Sequence, residues 1–172
     1  PAFTVNKRCG SSLKTAMLAA DKIRLGDMKA VAGGGMESAS NVPYLLKEAR
    51  WGFRMGEKAA EDALHKDGFN CPLAGMLMGA TAEVLNEEYS ITREEQDEYA
   101  LDSHRKAVAA IKEGRFASEI VPVEIRDRKK GTIVFDTDEI PREDTSLESL
   151  AKLPAIFKKD GSITAGSSSA LC

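Results

Sequence analysis

The sequence predicts an α/β fold, and three observations predict it. Apolar residues recur at Leu13, Ala16, Met17, Ala20 and Ile23, the three-to-four spacing of one helix face, and the run stops at Gly26. Met28-Lys29-Ala30-Val31-Ala32 follows as a short strand-like run closed by Gly33-Gly34-Gly35. Ile120 to Ile125 and Thr132 to Phe135 alternate well enough for two more strands, joined by a basic turn from Arg126 to Gly131. Helix and strand in close succession form a layered α/β unit, with the loop around Cys9 at one edge of its sheet.

The first helix gives Cys9 its interest. The stretch Asn6-Lys7-Arg8-Cys9-Gly10-Ser11-Ser12-Leu13-Lys14 places the thiol at or just before a helix N-terminus. Unpaired N–H groups and the positive end of the helix dipole stabilise an anion there, so a thiol ionises more easily and can attack a carbonyl. Gly10 and the small Ser11 and Ser12 leave room for a substrate beside the sulfur. Against this stands the commoner fate of a free cysteine, which is inert packing.

Composition narrows the classes. With 172 residues, 42% of them hydrophobic and 30% charged, the chain can bury an ordinary core and a small appendage. A net charge of −3 offers no basic field for nucleic acid. Cys9, Cys71 and Cys172 have neither the even count nor the clustering of a disulfide framework, which points to a reducing, cytoplasmic compartment. No apolar run is long enough to cross a bilayer, and no secretory leader pattern is present.

Between Asn41 and Asn70 the pattern is irregular, with one helical piece expected from about Glu57 to Lys66. Thr92-Arg93-Glu94-Glu95 reads as a capping box opening a helix that runs to about Glu113 and stops at Gly114. Its inward face would be Tyr99, Ala100, Ser103, Ala107, Ala110 and Ile111. Pro122 favours an edge position for the first hairpin strand. His65 and His104 read as solvated side chains, without metal-ligand spacing to a cysteine or to each other, so no metal is predicted.

Several stretches together resemble the thiolase family, the acetyl-CoA acetyltransferases and 3-ketoacyl-CoA thiolases. They are the Cys9 segment, Ala32-Gly33-Gly34-Gly35-Met36-Glu37-Ser38-Ala39-Ser40-Asn41, Met78-Gly79-Ala80-Thr81-Ala82-Glu83, Asp136 to Phe157, and Ile163 to Cys172. The resemblance implies a thiolase-like α/β fold, with residues 1–40 as part of a layered αβα core, 41–164 as an α+β loop domain and 165–172 as the start of a second half. It implies that Cys9 accepts the acyl group, and that coenzyme A or an acyl-CoA is the substrate rather than a tightly bound cofactor. Met78 would pack on the pantetheine arm, Arg142 and Ser149 would meet the nucleotide end, and Leu153 would line the adenine. Ala165 and Ser169 would contact the pantetheine again.

On spacing alone Met78, Ala82, Leu85 and Tyr89 are a buried helix stripe, Leu153 is core, Ser149 a cap and Arg142 a surface charge. The sequence departs from the family at Gly33, Leu77, Ser167, Ala170 and Cys172, where relatives write Ala, often His, Asn, Gly and Asn. The family's later Asn-Glu-Ala, Gly-His-Pro and Cys-x-Gly-Gly-Gly motifs are not in this sequence. With Pro1 at its start, the chain is expected to be an internal fragment of an acyltransferase, inactive alone, whose intact parent is a homodimer or homotetramer. Two other classes stay open: a non-catalytic coenzyme A or partner-binding module, and a redox protein pairing Cys9 with Cys71.

Overall fold

A computed structural model describes residues 2–171, so Cys172 lies outside the described residues. The chain divides into two compact units, one up to Asn70 and the other from Cys71 onward.

In the first unit a single 3₁₀ turn, Arg8–Gly10, leads straight into helix α1, Ser11–Arg24. Gly26 takes φ +75°, a left-handed conformation that glycine adopts without a side-chain clash, and the helix ends there as expected. The predicted inward face of α1 is not the covered one. Leu13 is 71% and Met17 52% exposed and of that face only Ala20 is half-buried, together with Ser11, Lys14, Thr15, Leu18 and Ala19. The glycine-rich segment explains the Thr15 side of this rotation. A Cβ at Gly33 would come within 3.2 Å of Thr15 Oγ1, and one at Gly35 would overlap Ser12 Oγ. These two glycines let main chain pack closely on the helix, whereas Gly34 faces open space.

Two further expectations fail in this unit. Met28 to Ala32 joins no ladder, because a strand needs a neighbour's N–H and C=O groups and no described segment pairs with it. The piece from Glu57 to Lys66 is not an α-helix. It contributes strand β2, Glu61–Asp62, antiparallel to β1, Tyr44–Leu45, followed by a π-helical turn, Leu64–Phe69. The Ala63 N–H goes to Pro43 O at 3.2 Å, and the Leu64 N–H to Asp62 Oδ1 at 2.8 Å. Short alanine-rich pieces are marginal as helices, so these competing acceptors decide the outcome.

The second unit is built on two helices, α2 (Met78–Tyr89) and α3 (Arg93–Lys112). The capping box forms as read: Thr92 Oγ1 accepts the Glu95 N–H at 3.2 Å and Glu95 Oε2 accepts the Thr92 N–H at 2.8 Å. The buried stripe of α3 holds Asp97, Ala100 and Leu101, with His104, Ala107, Ala110 and Ile111 half-buried. Tyr99, at 79% exposure, and Ser103 face solvent instead. The face is rotated because Arg93 and Asp97 turn inward to meet a short helix, α4 (Leu147–Ala151). Leu150 of α4 packs on Ala100 and Leu101, with Leu153 against them, and this is the apolar core of the unit.

The predicted hairpin is present as β3 (Val123–Asp127) and β4 (Gly131–Phe135), with Val123 opposite Phe135 and Ile125 opposite Ile133. Asp127 Oδ1 closes the turn by accepting the N–H groups of Lys129 and Lys130, each at 2.7 Å. Pro122 stands just outside β3, where its missing N–H costs no ladder bond. No helix among the described residues is long and apolar enough to cross a membrane.

Candidate functional site

Cys9 is an exposed free thiol inside the 3₁₀ turn, one residue before Gly10, the N-cap of α1. The loop that presents it is held by short side chains on either side. Ser11 Oγ accepts the Lys7 N–H at 2.8 Å and donates to Arg8 O at 2.7 Å, while Asn6 Oδ1 accepts the Arg8 N–H at 3.0 Å. Arg8 takes φ +49°, a left-handed conformation that a residue with a side chain adopts only when its surroundings hold it there. Its guanidinium donates to the main-chain oxygen of Asp67, which supplies such a hold. Sequence spacing therefore finds the thiol, and the polar contacts around it hold the loop that carries it.

In the second unit, Met78 is the first residue of α2 and 45% exposed. Leu85 and Tyr89 of the same stripe are also exposed, so this stripe is not core within the unit. The covered side of α2 is the one carrying Gly79, Glu83 and Asn86. A Cβ at Gly79 would overlap the ring of Phe157, so only glycine lets that ring lie on the first turn. About one turn further on, buried Glu83 takes four hydrogen bonds. Its carboxylate accepts the Ser162 N–H at 2.9 and 3.0 Å, the Ser162 hydroxyl at 3.0 Å and the Ile163 N–H at 2.8 Å. Burial alone would raise its pKa; the donors from Ile163 and Ser162, with Lys158 nearby, outweigh burial and hold it below the ordinary carboxylate value.

Downstream of that contact the chain makes a tight turn. Thr164 is fully buried, its Oγ1 accepts the Gly166 N–H at 3.1 Å, and its carbonyl accepts the Ser168 hydroxyl at 2.7 Å. Ala165 and Ser169 stand exposed on this turn. Gly166 lies against α4, where a Cβ would come within 2.5 Å of Leu150 Cδ2 and 2.9 Å of Leu153 Cδ1. The turn carrying Ala165 and Ser169 is thus packed directly beside Leu153.

The remaining candidates sit around α4. Ser149 is exposed and its hydroxyl is engaged in the helix cap, accepting the Ser146 N–H at 3.0 Å and donating to Ser146 O at 2.8 Å. Leu153 is half-buried and packs on the core. Arg142 is exposed and forms a two-pronged pair with Asp144 at 3.2 and 3.3 Å, which raises its pKa and lowers that of Asp144. The Arg142 N–H donates to His104 Nδ1 at 3.1 Å, so the histidine anchors this segment to α3 instead of standing free in solvent.

Met78, Arg142, Ser149, Leu153, Ala165 and Ser169 all fall in the second unit, and Cys9 in the first. Sequence reasoning missed Glu83, Asn86, Gln96 and Ser162, the polar group that joins α2, α3 and the turn. Glu83 did offer one signal, as an acid on the helix side opposite the apolar stripe of Met78 and Leu85 and in the first half of the helix.

The chain is similar to solved and curated acetyl-CoA acetyltransferases. It is 48% identical over 171 residues to the acetyl-CoA acetyltransferase of Pseudomonas aeruginosa, covering 99% of this chain and 44% of that one. To the acetyl-CoA acetyltransferase of Escherichia coli it is 49% identical over 170 residues, covering 98% and 43%. The crystal structure of the Bacillus anthracis acetyl-CoA acetyltransferase superposes with a TM-score of 0.88 at 45% identity, over 98% of this chain and 42% of that chain. The fold is therefore the thiolase-like α/β type, and the chain spans under half the length of these relatives. The thiolase N-terminal domain matches residues 1–172, and the chain belongs to the thiolase family.

Proposed function

We propose that this chain is the acyl-accepting and coenzyme-binding part of an acetyl-CoA acetyltransferase of thiolase type. The observation that carries the reading is the exposed thiol of Cys9, held at the start of α1 in a chain 48% identical to such an enzyme. In the forward direction the Cys9 thiolate attacks the carbonyl of one acyl-CoA, and the coenzyme leaves as its thiol after taking a proton. The α-carbanion of a second acyl-CoA then attacks the acyl-cysteine, forming the new carbon–carbon bond and returning the thiolate. Run backwards, the same steps cleave a 3-ketoacyl-CoA.

This chemistry needs a base for the thiol, an acid/base for the α-carbon and donors for the oxyanion. The Cys9 N–H serves as one donor in this reading, and the family's later motifs would supply the rest. Lacking a base costs about 10²–10⁴-fold and lacking one oxyanion donor about 10²–10³-fold, so this chain alone turns over negligibly. The intact protein would act on acyl-CoA as a homodimer or homotetramer in a reducing, cytoplasmic compartment. The test is to incubate the chain with acetyl-CoA and acetoacetyl-CoA and follow intact mass and turnover. Slow acetylation that disappears in Cys9→Ala, with no catalytic turnover, is the expected result; acetylation that persists in Cys9→Ala overturns the assignment.

A second reading, a coenzyme-binding module without chemistry, is favoured by one observation. All six candidate coenzyme contacts lie in one unit, the one from Cys71 onward. Saturable coenzyme A binding with no acetylation of Cys9 would select it.

A further inference from the structure

The densest polar group among the described residues of the second unit touches none of the candidate ligand contacts, yet lies between them in the chain. Glu83 is 4% exposed and receives the Ser162 N–H, the Ser162 hydroxyl and the Ile163 N–H. Ser162 Oγ in turn accepts Asn86 Nδ2 at 2.9 Å and Gln96 Nε2 at 3.0 Å, so α2 and α3 both grip the same hydroxyl. Gly161 makes the approach possible: a Cβ there would overlap a Glu83 oxygen and lie 2.9 Å from its Cδ. Immediately after this contact come fully buried Thr164 and the turn bearing Ala165 and Ser169.

A carboxylate in this place is costly unless its oxygens are satisfied. Both oxygens of Glu83 are occupied from the protein side, which leaves it no free acceptor for a ligand. It can act only through what it holds, and what it holds is the register between the Met78 helix and the Ala165–Ser169 turn. We infer that Glu83 is a positioning residue for acyl-CoA, fixing the spacing between Met78 on α2 and Ala165 and Ser169 on the turn, and so the pantetheine side of the site. This rests on the reading of the chain as an acyl-CoA binder. Of the nucleotide contacts, Arg142 and Ser149 are anchored separately, to His104 through the main chain and to the Ser146 cap, and Leu153, which lies beside the turn, is also held by the core of Ala100, Leu101 and Leu150.

The separation gives a test that general loosening of the fold would not reproduce. The chain and its Glu83→Ala, Glu83→Gln and Ser162→Ala variants are titrated calorimetrically with coenzyme A and, in parallel, with ADP, which has the nucleotide end but no pantetheine. The wild-type chain binds both. Glu83→Ala weakens coenzyme A by about tenfold or more, the scale of lost charge-assisted hydrogen bonds, and weakens ADP, whose contacts reach the turn only through Leu153, by much less. Glu83→Gln, which keeps one acceptor oxygen, and Ser162→Ala fall between. Folded variants with unaltered coenzyme A affinity, or a loss shared equally by both probes, overturn the inference. If Glu83→Ala does not fold, the other two variants are judged by the same criterion. A wild-type chain that binds neither probe overturns the acyl-CoA reading itself and takes the inference with it.

Discussion

Arg93 and Asp97, one turn apart on α3, form a half-buried ion pair in which Arg93 Nε donates to Asp97 Oδ2 at 2.8 Å. The other arm of the guanidinium donates to the main-chain oxygens of Leu150 at 2.6 Å and Leu153 at 3.1 Å. The Leu150 carbonyl also accepts the Leu153 N–H at 3.0 Å, so the guanidinium adds a second donor there and reaches Leu153 O just past the end of α4. Asp97 orients the guanidinium, the guanidinium caps α4, and α4 carries Ser149 and leads to Leu153.

Arg93→Ala is accordingly expected to destabilise the second unit by about 2–4 kcal/mol, because it strands a buried carboxylate and takes a donor from the Leu150 and Leu153 carbonyls at once. Asp97→Asn keeps an acceptor for Nε and is expected to cost nearer 1 kcal/mol. Urea unfolding of both variants followed by far-ultraviolet circular dichroism measures the difference. Equal midpoints for Arg93→Ala and wild type would refute the capping role.

Gly79→Ala should destabilise even though alanine is the better helix former by about 1 kcal/mol. The added methyl overlaps the Phe157 ring, and overpacking of this kind costs about 1–3 kcal/mol. Gly34→Ala, which meets nothing within 4 Å, serves as the contrast and should be neutral or slightly stabilising. Thermal unfolding that ranks the two the other way round would contradict the packing.

The carboxyl of Glu83 titrates in the folded chain below its ordinary 4.5, because the Ile163 and Ser162 donors outweigh the effect of burial. The unfolded chain therefore takes up the proton first as pH falls. The stabilisation from Glu83 is complete above about pH 4.5 and drains away as pH drops through the lower folded value. Asp127, Asp144 and Glu148 are lowered too and act in the same direction. The informative quantity is the stability of wild type minus that of Glu83→Gln. It should shrink as the solution is acidified below pH 4.5 and stay flat from about pH 6 to 8; a difference independent of pH throughout would exclude the hold of Ser162 and Ile163 on the Glu83 carboxylate.

Iodoacetamide should label Cys9 before Cys71, since Cys9 is exposed and Cys71 is half-buried. Peptide mapping after brief labelling checks the order. Preferential labelling of Cys71 would show that the Cys9 loop is closed in solution.

What was legible in the sequence was whatever depends on neighbours along the chain. The Thr92–Glu95 capping box, the stop at Gly114, the hairpin turn read from Arg126 to Gly131 and the placing of Cys9 before α1 all rest on residues within five positions of each other. The α1 stripe at Leu13 and Met17 was a fair reading of periodicity that the structure does not honour, because periodicity gives the phase of a face but not what lies against it. Met28 to Ala32 fails as a strand for a related reason, since a ladder is a property of two segments.

The amino-acid order by itself determined the family, the starts and stops of α1 and α3, and the thiol in its helix-terminal loop. Only the tertiary structure decided that Glu83 is buried under Ser162 and Ile163, that Arg93 caps α4, and that Gly79 and Gly166 are spaces for Phe157 and Leu153. The physical reason is range. Capping and turn chemistry act between residues a few positions apart, whereas these contacts join residues 13 to 80 positions apart, such as Gly166 with Leu153, Arg93 with Leu150 and Glu83 with Ile163, and exist only once the chain has folded back on itself.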